Sequence, residues 1–246
     1  MSGTTAISVA FHDMRMTVCN VGDSRALLGI SDYQECVGTM NGVQLDQSSE
    51  EKSEIQSSED VSQTDNRVEC FNEIHKKRIV PIPLSMDQTP WRQDERERLK
   101  KKGARIMTIG QMEGREEIHE NFGNIILGED IDIEGDPPRV WLPHKDSPGT
   151  AFTRSLGDAV ANSIGVNAEP EIFSKEITDD DKILVLASDG VFEFLDNQTV
   201  IDICGDSNNP HEACIKLVDT SYEKWLCYED RTDDITAIVL FLSPIV

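Results

Sequence analysis

The sequence predicts an α+β protein in which strands and helices pack in layers. Apolar runs of strand length lie near both ends of the chain, and helical patterns fall between them. The predicted strands are Ala6–Phe11, Met14–Val21, Ala26–Ile30, Lys182–Ala187 and Thr236–Leu242. The predicted helices are Gln93–Lys102, Asn197–Ile203 and Pro210–Leu226.

Local signals support these elements. His12 and Asp13 separate the first two strands as a turn. The helix Gln93–Lys102 carries acidic residues early and basic residues late, which suits the helix dipole, and Gly103 follows as a C-cap. The helix Pro210–Leu226 begins with a proline and has one apolar stripe. That stripe comprises Cys214, Leu217, Val218, Ser221 and Trp225.

An acidic, serine-rich segment interrupts the pattern from Ser31 to Arg67. It contains seven serines and nine acidic residues but only two basic ones. Few large apolar side chains are present to offset the entropy cost of ordering the segment. We therefore predict that residues 31–67 form a disordered insertion within a single domain that spans residues 1–246.

The overall charge excludes some classes of function. Basic residues number 23 and acidic residues 46, so the net charge is −23, which would repel nucleic acid and anionic membranes. The six cysteines include no C-x-x-C pair, which argues against a zinc site and a dense disulfide framework. The sequence has no signal-peptide pattern, and its apolar runs are too short to span a bilayer. These features predict an intracellular protein, cytoplasmic or nuclear.

Three aspartates adjoin predicted buried strands. Asp23 follows the second strand, Asp189 follows Lys182–Ala187, and Asp233 precedes the last strand. Convergence of such strand ends would give the oxygen-rich site that Mg²⁺ or Mn²⁺ requires. Taken singly, each aspartate is better explained as a turn or capping residue.

An acidic loop offers a second candidate metal site. The run EDIDIEGD at 129–136 is similar to the start of a calcium loop. Position twelve of that loop would be Trp141, however, and two prolines interrupt it, so a solvated loop is the favoured interpretation.

Five ordered motifs resemble those of one enzyme family. They are GTTAISVAF with MTVCNVGDSR, LSMDQTPWRQDERERLKKKGARI, PGTAFTRSLGD, LVLASDGVFEFL and RTDDITAIVL. In their order and in their residues they resemble the motifs of the metal-dependent type 2C (PPM) protein serine/threonine phosphatases. The resemblance runs from Gly3 to Leu242. It is closest to a plant and protist subgroup in which cyclic-nucleotide-binding and kinase domains follow the phosphatase.

The resemblance implies an α-β-β-α sandwich of two antiparallel sheets flanked by helices, without the family's N-terminal strands. It implies metal-ligand roles for Asp189 and Asp233 and assigns Asp23 to a third, weaker metal site. Gly190 and Glu193 are further candidate ligands. The implied cofactors are Mn²⁺ or Mg²⁺, and the implied nucleophile is a metal-activated hydroxide rather than a side chain. The implied substrates are proteins that carry phosphoserine or phosphothreonine, and no substrate-binding residue is assigned.

The family's Asp-Gly-His-Gly-Gly motif is not found in this sequence, whose only Asp-Gly dipeptide is Asp189-Gly190. The resemblance thus covers the C-terminal two-thirds of the family's domain. Three interpretations stay open: an incomplete record of an active phosphatase, a pseudophosphatase or binding module, and a site completed by another chain. Ligand counting predicts hydrolysis at least ~1000-fold slower than in a complete domain. Faster turnover would implicate Asp130, Asp132 or Glu134 as a further ligand.

Overall fold

The computed structural model describes residues 2–32, 78–122, 128–131 and 136–242. Most of the predicted insertion 31–67 lies outside these ranges, as do Cys70 and the candidate residues Asp132 and Glu134. Ser31 and Asp32, assigned to the insertion, instead complete a strand, and the Ser31 amide donates to the Asp180 carbonyl at 2.9 Å.

One sheet has three antiparallel strands. In spatial order they are β10 (Glu171–Glu176), β3 (Arg15–Val21) and β2 (Ala6–His12). The strands β2 and β3 form the predicted hairpin, with Asp13 in the left-handed region (φ 52°) at its turn. The strand β10 was not predicted, because its sequence EIFSKE lacks a clear alternation of apolar and polar residues.

A second antiparallel sheet has four strands. In spatial order they are β12 (Ala237–Phe241), β11 (Asp181–Ala187), β4 (Arg25–Asp32) and β5 (Arg78–Pro83). In the centre of the sheet, β11 is almost wholly buried, as its continuous apolar sequence predicts. A buried apolar cluster joins the two sheets. Its members include Met16 and Val18 of β3, Ala26 and Leu28 of β4, and Leu184 and Leu186 of β11.

Helices cover the other face of the four-stranded sheet. They are α4 (Asp189–Phe192), α5 (Asn197–Gly205) and α6 (Pro210–Tyr228). Asp196 and Asn209 cap α5 and α6 by accepting amide hydrogen bonds at 2.8 and 2.9 Å. The predicted stripe of α6 faces the core, where Leu217 and Ser221 are buried.

The remaining elements form a smaller cluster around Leu99 and Val140. Its elements are α1 (Gln93–Lys100), β6 (Arg105–Met107), α2 (Ile109–Met112), β7 (Arg139–Trp141), β8 (Pro148–Thr150) and α3 (Ala159–Asn162). A two-residue pair, β1 (Gly3–Thr4) with β9 (Leu156–Gly157), completes the described strands. The predicted helix Gln93–Lys102 ends two residues early, where the chain turns into Gly103 at φ 90°.

The α+β class with antiparallel sheets and packed helices is confirmed. Within the described residues, no helix is long and apolar enough to cross a membrane. The strands and helices predicted near the ends of the chain are all present, with boundaries that differ by at most two residues.

The apolar cluster between the sheets should contribute strongly to stability. Leu184 is 0% exposed, so we expect Leu184→Ala to lower the free energy of unfolding by about 2–5 kcal/mol through a cavity. Ile238 is 55% exposed on the neighbouring strand, and Ile238→Ala should cost less than about 1 kcal/mol. Urea denaturation of both variants measures the difference. Equal losses would show that the two sheets do not share a tightly packed core.

Candidate metal centre at the strand ends

The register of the four-stranded sheet brings the three predicted aspartates to the same edge. Ala187, the last residue of β11, pairs with Arg25 at the start of β4 and with Ala237 at the start of β12. Asp189 follows β11, Asp23 precedes β4 and Asp233 precedes β12. Antiparallel pairing alone therefore places these residues near one another.

A buried glutamine holds the turn that carries Asp23. Gly22 has φ 109°, and its amide donates to Gln88 Oε1 at 2.7 Å. The Gln88 amide donates back to the Gly22 carbonyl at 3.0 Å, and Gln88 Nε2 donates to the Asn20 carbonyl at 3.2 Å. Gln88 is 0% exposed, so these bonds form away from water. They fix the backbone from which Asp23 projects.

Asp189 stands at the N-terminus of α4, next to the Asp233–Asp234 segment. Ser188 Oγ donates to the Asp234 carbonyl at 3.2 Å, and the Ser188 amide donates to the Thr236 carbonyl at 3.0 Å. A Cβ at position 190 would lie 2.5 Å from the Asp234 carbonyl oxygen, so only glycine permits this approach. The two segments are therefore joined at backbone level.

Gly190, predicted as a candidate ligand, has another contact. Its carbonyl accepts a hydrogen bond from Trp225 Nε1 at 2.8 Å. This bond ties α4 to α6, and the close approach to Asp234 gives the glycine a packing role. Its role as a ligand stays a prediction.

A small cleft of about 90 Å³ gathers five carboxylates. They are Asp23, Asp87, Asp130, Asp189 and Glu193. Asp233 is exposed and lines a neighbouring cavity of about 470 Å³ instead, which Glu193 also lines. The structure thus brings Asp23, Asp189 and Glu193 into one cleft and leaves Asp233 at its side.

Crowding perturbs two of these carboxylates. Burial, followed by repulsion from Asp189, Asp87 and Glu193, raises the pKa of Asp23 from its ordinary 3.8 to about 8. Burial and repulsion from Asp233 and Asp87 also raise the pKa of Asp189. A divalent cation would offset this repulsion, and carboxylate oxygens suit the hard ions Mg²⁺ and Mn²⁺. The donor set therefore fits such an ion.

One buried ion pair in the cleft was not predicted. Arg25 is 4% exposed and donates to both oxygens of Asp87, at 3.0 and 2.6 Å. It also donates to Asn197 Oδ1 at 2.8 Å and lies 4.3 Å from the centre of the Phe192 ring. Both charged residues occur in the recognised motifs GDSR and LSMDQTP, but only the fold shows that they pair. Arg25 neutralises Asp87, one of the five carboxylates that line the cleft.

A second acidic group has the spacing of metal ligands. Among the described residues, only Asp94, Glu95 and Glu171 place three side-chain ligand atoms within 4.8 Å of one another. Arginines already bind this group: Glu95 accepts from Arg98 at 2.6 Å and from Arg154 at 2.7 Å. Burial alone would raise the pKa of Glu95, but these hydrogen bonds outweigh it and lower the pKa to about 2.

Arg92 completes this network. Its guanidinium donates to Glu171 at 2.8 Å and to Asp94 at 2.7 Å. The same contacts lower the pKa of both carboxyl groups. With its charges matched by cations, the group is an ion-pair network that joins α1 to β10, rather than a site for a metal.

Comparison with known proteins agrees with the fold. Residues 1–70 and 74–225 match the family described as "Protein phosphatase 2C". This match covers most of the chain, and the chain belongs to the protein phosphatase 2C family.

Named relatives carry the same family description. The chain is 39% identical over 246 residues to "Probable protein phosphatase 2C 35" of Arabidopsis thaliana, covering 100% of this chain and 57% of that protein. It is 28% identical to "Probable protein phosphatase 2C 52" of the same plant, covering 98% of this chain and 38% of that protein. The chain therefore spans roughly two-fifths to three-fifths of the length of these relatives.

Two solved structures share the fold. The serine-threonine phosphatase 2C from Toxoplasma gondii aligns with a TM-score of 0.61 at 14% identity, over 97% of this chain and 58% of that one. A sex-determining protein of C. elegans aligns with a TM-score of 0.57 at 16% identity, over 99% of this chain and 41% of that one. At such identities the alignments establish the fold alone.

The raised pKa of Asp23 predicts a pH-dependent stability. Between about pH 4 and pH 8 the folded protein keeps a proton on Asp23 that the unfolded chain releases, so metal-free stability falls as pH rises through this window. The variant Asp23→Asn lacks this proton linkage. Measured with a chelator, the melting temperature of Asp23→Asn minus that of the parent should increase as pH rises from about 5 to about 8. Asp219→Asn, an exposed change on α6, is the control. A difference in melting temperature between Asp23→Asn and the parent that does not vary with pH would contradict the crowding of Asp23.

Proposed function

We propose that this chain acts in the metal-dependent hydrolysis of phosphoserine and phosphothreonine in proteins. The main observation is the crowding of Asp23 and Asp189 in a cleft at converging strand ends, in a member of the protein phosphatase 2C family. Like-charged side chains are held together there at a cost in stability, and binding of a cation would remove that cost.

Bound Mn²⁺ or Mg²⁺ would polarise the phosphoryl group and activate the attacking water. Asp189 would supply the main ligand, because it lies in the cleft and at the junction with the Asp233–Asp234 segment. Asp23 would hold a third ion. Glu193 lines both the cleft and the cavity of about 470 Å³, so it would contact an ion held between them. Asp233 would bind an ion from the side of the larger cavity.

An arginine beside the carboxylates is suited to the phosphoryl group of the substrate. Arg139 lines the cavity of about 470 Å³ together with Arg231 and Asp233. Its Nη1 donates to the Gly149 carbonyl at 3.2 Å, whereas its buried Nε has no hydrogen-bond partner among the described residues. With Nη1 bound and Nε buried, Nη2 is the donor that this arginine would present to a phosphate.

A second candidate function is phosphoprotein binding without turnover, as in a pseudophosphatase or regulatory module. One observation favours it: among the described residues, no three ligand atoms of Asp23, Asp189, Glu193 and Asp233 meet within 4.8 Å. Cations would then be held weakly. Association with cyclic-nucleotide-binding and kinase domains in a longer protein stays a prediction from the subgroup resemblance.

The two candidates differ in metal response and turnover. We expect about 1 mM Mn²⁺ to raise the melting temperature of the chain, since a ligand that binds only the folded state stabilises it. We also expect it to support slow release of phosphate from a phosphothreonine peptide. Asp189→Asn should abolish both effects without lowering metal-free stability, because it removes one repelling charge. Asp219→Asn should retain both effects.

The outcomes separate the alternatives. Stabilisation by Mn²⁺ without phosphate release would favour the binding module over the enzyme. Equal stabilisation of the parent and Asp189→Asn would show that Asp189 is not a ligand. If Mn²⁺ neither stabilised the chain nor supported hydrolysis, the proposed function would be wrong.

A further inference from the structure

A cavity of about 600 Å³ lies beside the carboxylate cleft. Most of its surface is apolar, and Pro81, Pro83, Met86 and Trp91 contribute to it. Pro81 and Pro83 alternate along β5 with Ile82, which packs against the cluster between the sheets, so the two proline rings lie on the opposite face. A mostly apolar cavity with a few placed polar groups has the properties of a ligand site.

The cavity adjoins the cleft. Four residues line both: Arg25, Asp87, Trp91 and Gly128. A peptide whose phosphorylated residue enters the cleft would therefore place a neighbouring side chain in the cavity. This shared wall favours the flanking sequence of the substrate, rather than an unrelated small molecule, as the occupant.

The two arginines that line the cavity are already neutralised. Arg25 binds both oxygens of Asp87 within the cavity wall. Arg92 forms ion pairs with Asp94 and Glu171. Neither guanidinium is left to attract an acidic ligand.

Two acidic side chains give the cavity its remaining charge. Glu129 is exposed at the rim and forms no ion pair with a described residue. Asp196 accepts hydrogen bonds from the amide and hydroxyl of Thr199, both at 2.8 Å, and pairs with no cation among the described residues. The cavity thus joins an apolar wall, an indole ring and two negative charges.

From this arrangement we infer that the cavity binds an arginine side chain of the substrate near its phosphorylated residue. The inference rests on the proposed function and names a class of substrate for it. The methylene groups of arginine would pack against the prolines and Met86, and its guanidinium would stack on Trp91 and face Glu129 and Asp196. Acidic residues at that position would bind poorly because Glu129 and Asp196 would repel them. Short polar residues would bind poorly because they would leave the apolar wall uncovered.

The test uses fluorescein-labelled phosphothreonine peptides of alanine and glycine with a single arginine at each offset from two to four residues on either side. Binding to the full chain is measured by anisotropy in about 1 mM Mn²⁺. At the best offset, arginine should bind about tenfold more tightly than norleucine or glutamate. The double variant Glu129→Gln, Asp196→Asn should lose most of this advantage. Asparagine at 196 preserves the helix cap, so the fold should be retained.

A matched control separates the cavity from general charge. Glu169→Gln with Asp219→Asn removes the same two charges from exposed positions elsewhere and should keep the preference for arginine. Melting temperatures confirm that both double variants fold. The inference is overturned if no offset favours arginine, if both double variants lose the preference equally, or if the unphosphorylated peptide binds as well.

Phosphate release from the same peptides reports on the proposed function separately. Hydrolysis that depends on Asp189 but not on the arginine offset would retain the phosphatase assignment and reject this inference. A preference for arginine that Glu129 and Asp196 control, without hydrolysis, would support the cavity assignment and leave phosphoprotein binding as the function.

Discussion

The candidate site depends on one physical constraint, the repulsion among the carboxylates that the fold holds together in the cleft. Asp23 and Asp189 occupy one small cleft with Asp87 and Glu193, and burial together with their mutual repulsion keeps the pKa of Asp23 near 8. Such an arrangement is unfavourable unless protons or cations neutralise it. The surrounding fold supplies the rigidity that holds the charges in place.

Backbone contacts provide much of that rigidity. Gln88 accepts a hydrogen bond from the Gly22 amide and donates one to the Gly22 carbonyl. The lack of a side chain at Gly190 lets α4 approach the Asp234 backbone. Arg25 neutralises Asp87 within the cleft wall, and among the described residues neither Asp23 nor Asp189 forms an ion pair. The protein thus compensates Asp87 internally, and the repulsion at Asp23 and Asp189 is what a bound ion would offset.

The sequence predicted the features that depend on residues close together along the chain. Apolar runs located the strands β3, β4, β11 and β12, and the aspartates beside them pointed to the candidate metal centre. The pairing of Arg25 with Asp87 joins residues 62 positions apart, and that of Glu95 with Arg154 joins residues 59 apart, so no local pattern could reveal them. The strand β10 escaped prediction because its pairing with β3, rather than its own alternation, makes it a strand.

A cation bound by this chain should lie at the strand ends, beside Asp189. Anomalous diffraction from crystals of the chain grown with Mn²⁺ tests it most directly, because the ion itself is located. We expect a manganese peak bound by Asp189, with Asp23 or Asp233 as a further ligand. A peak only among Asp94, Glu95 and Glu171, or none at Asp189, would contradict it.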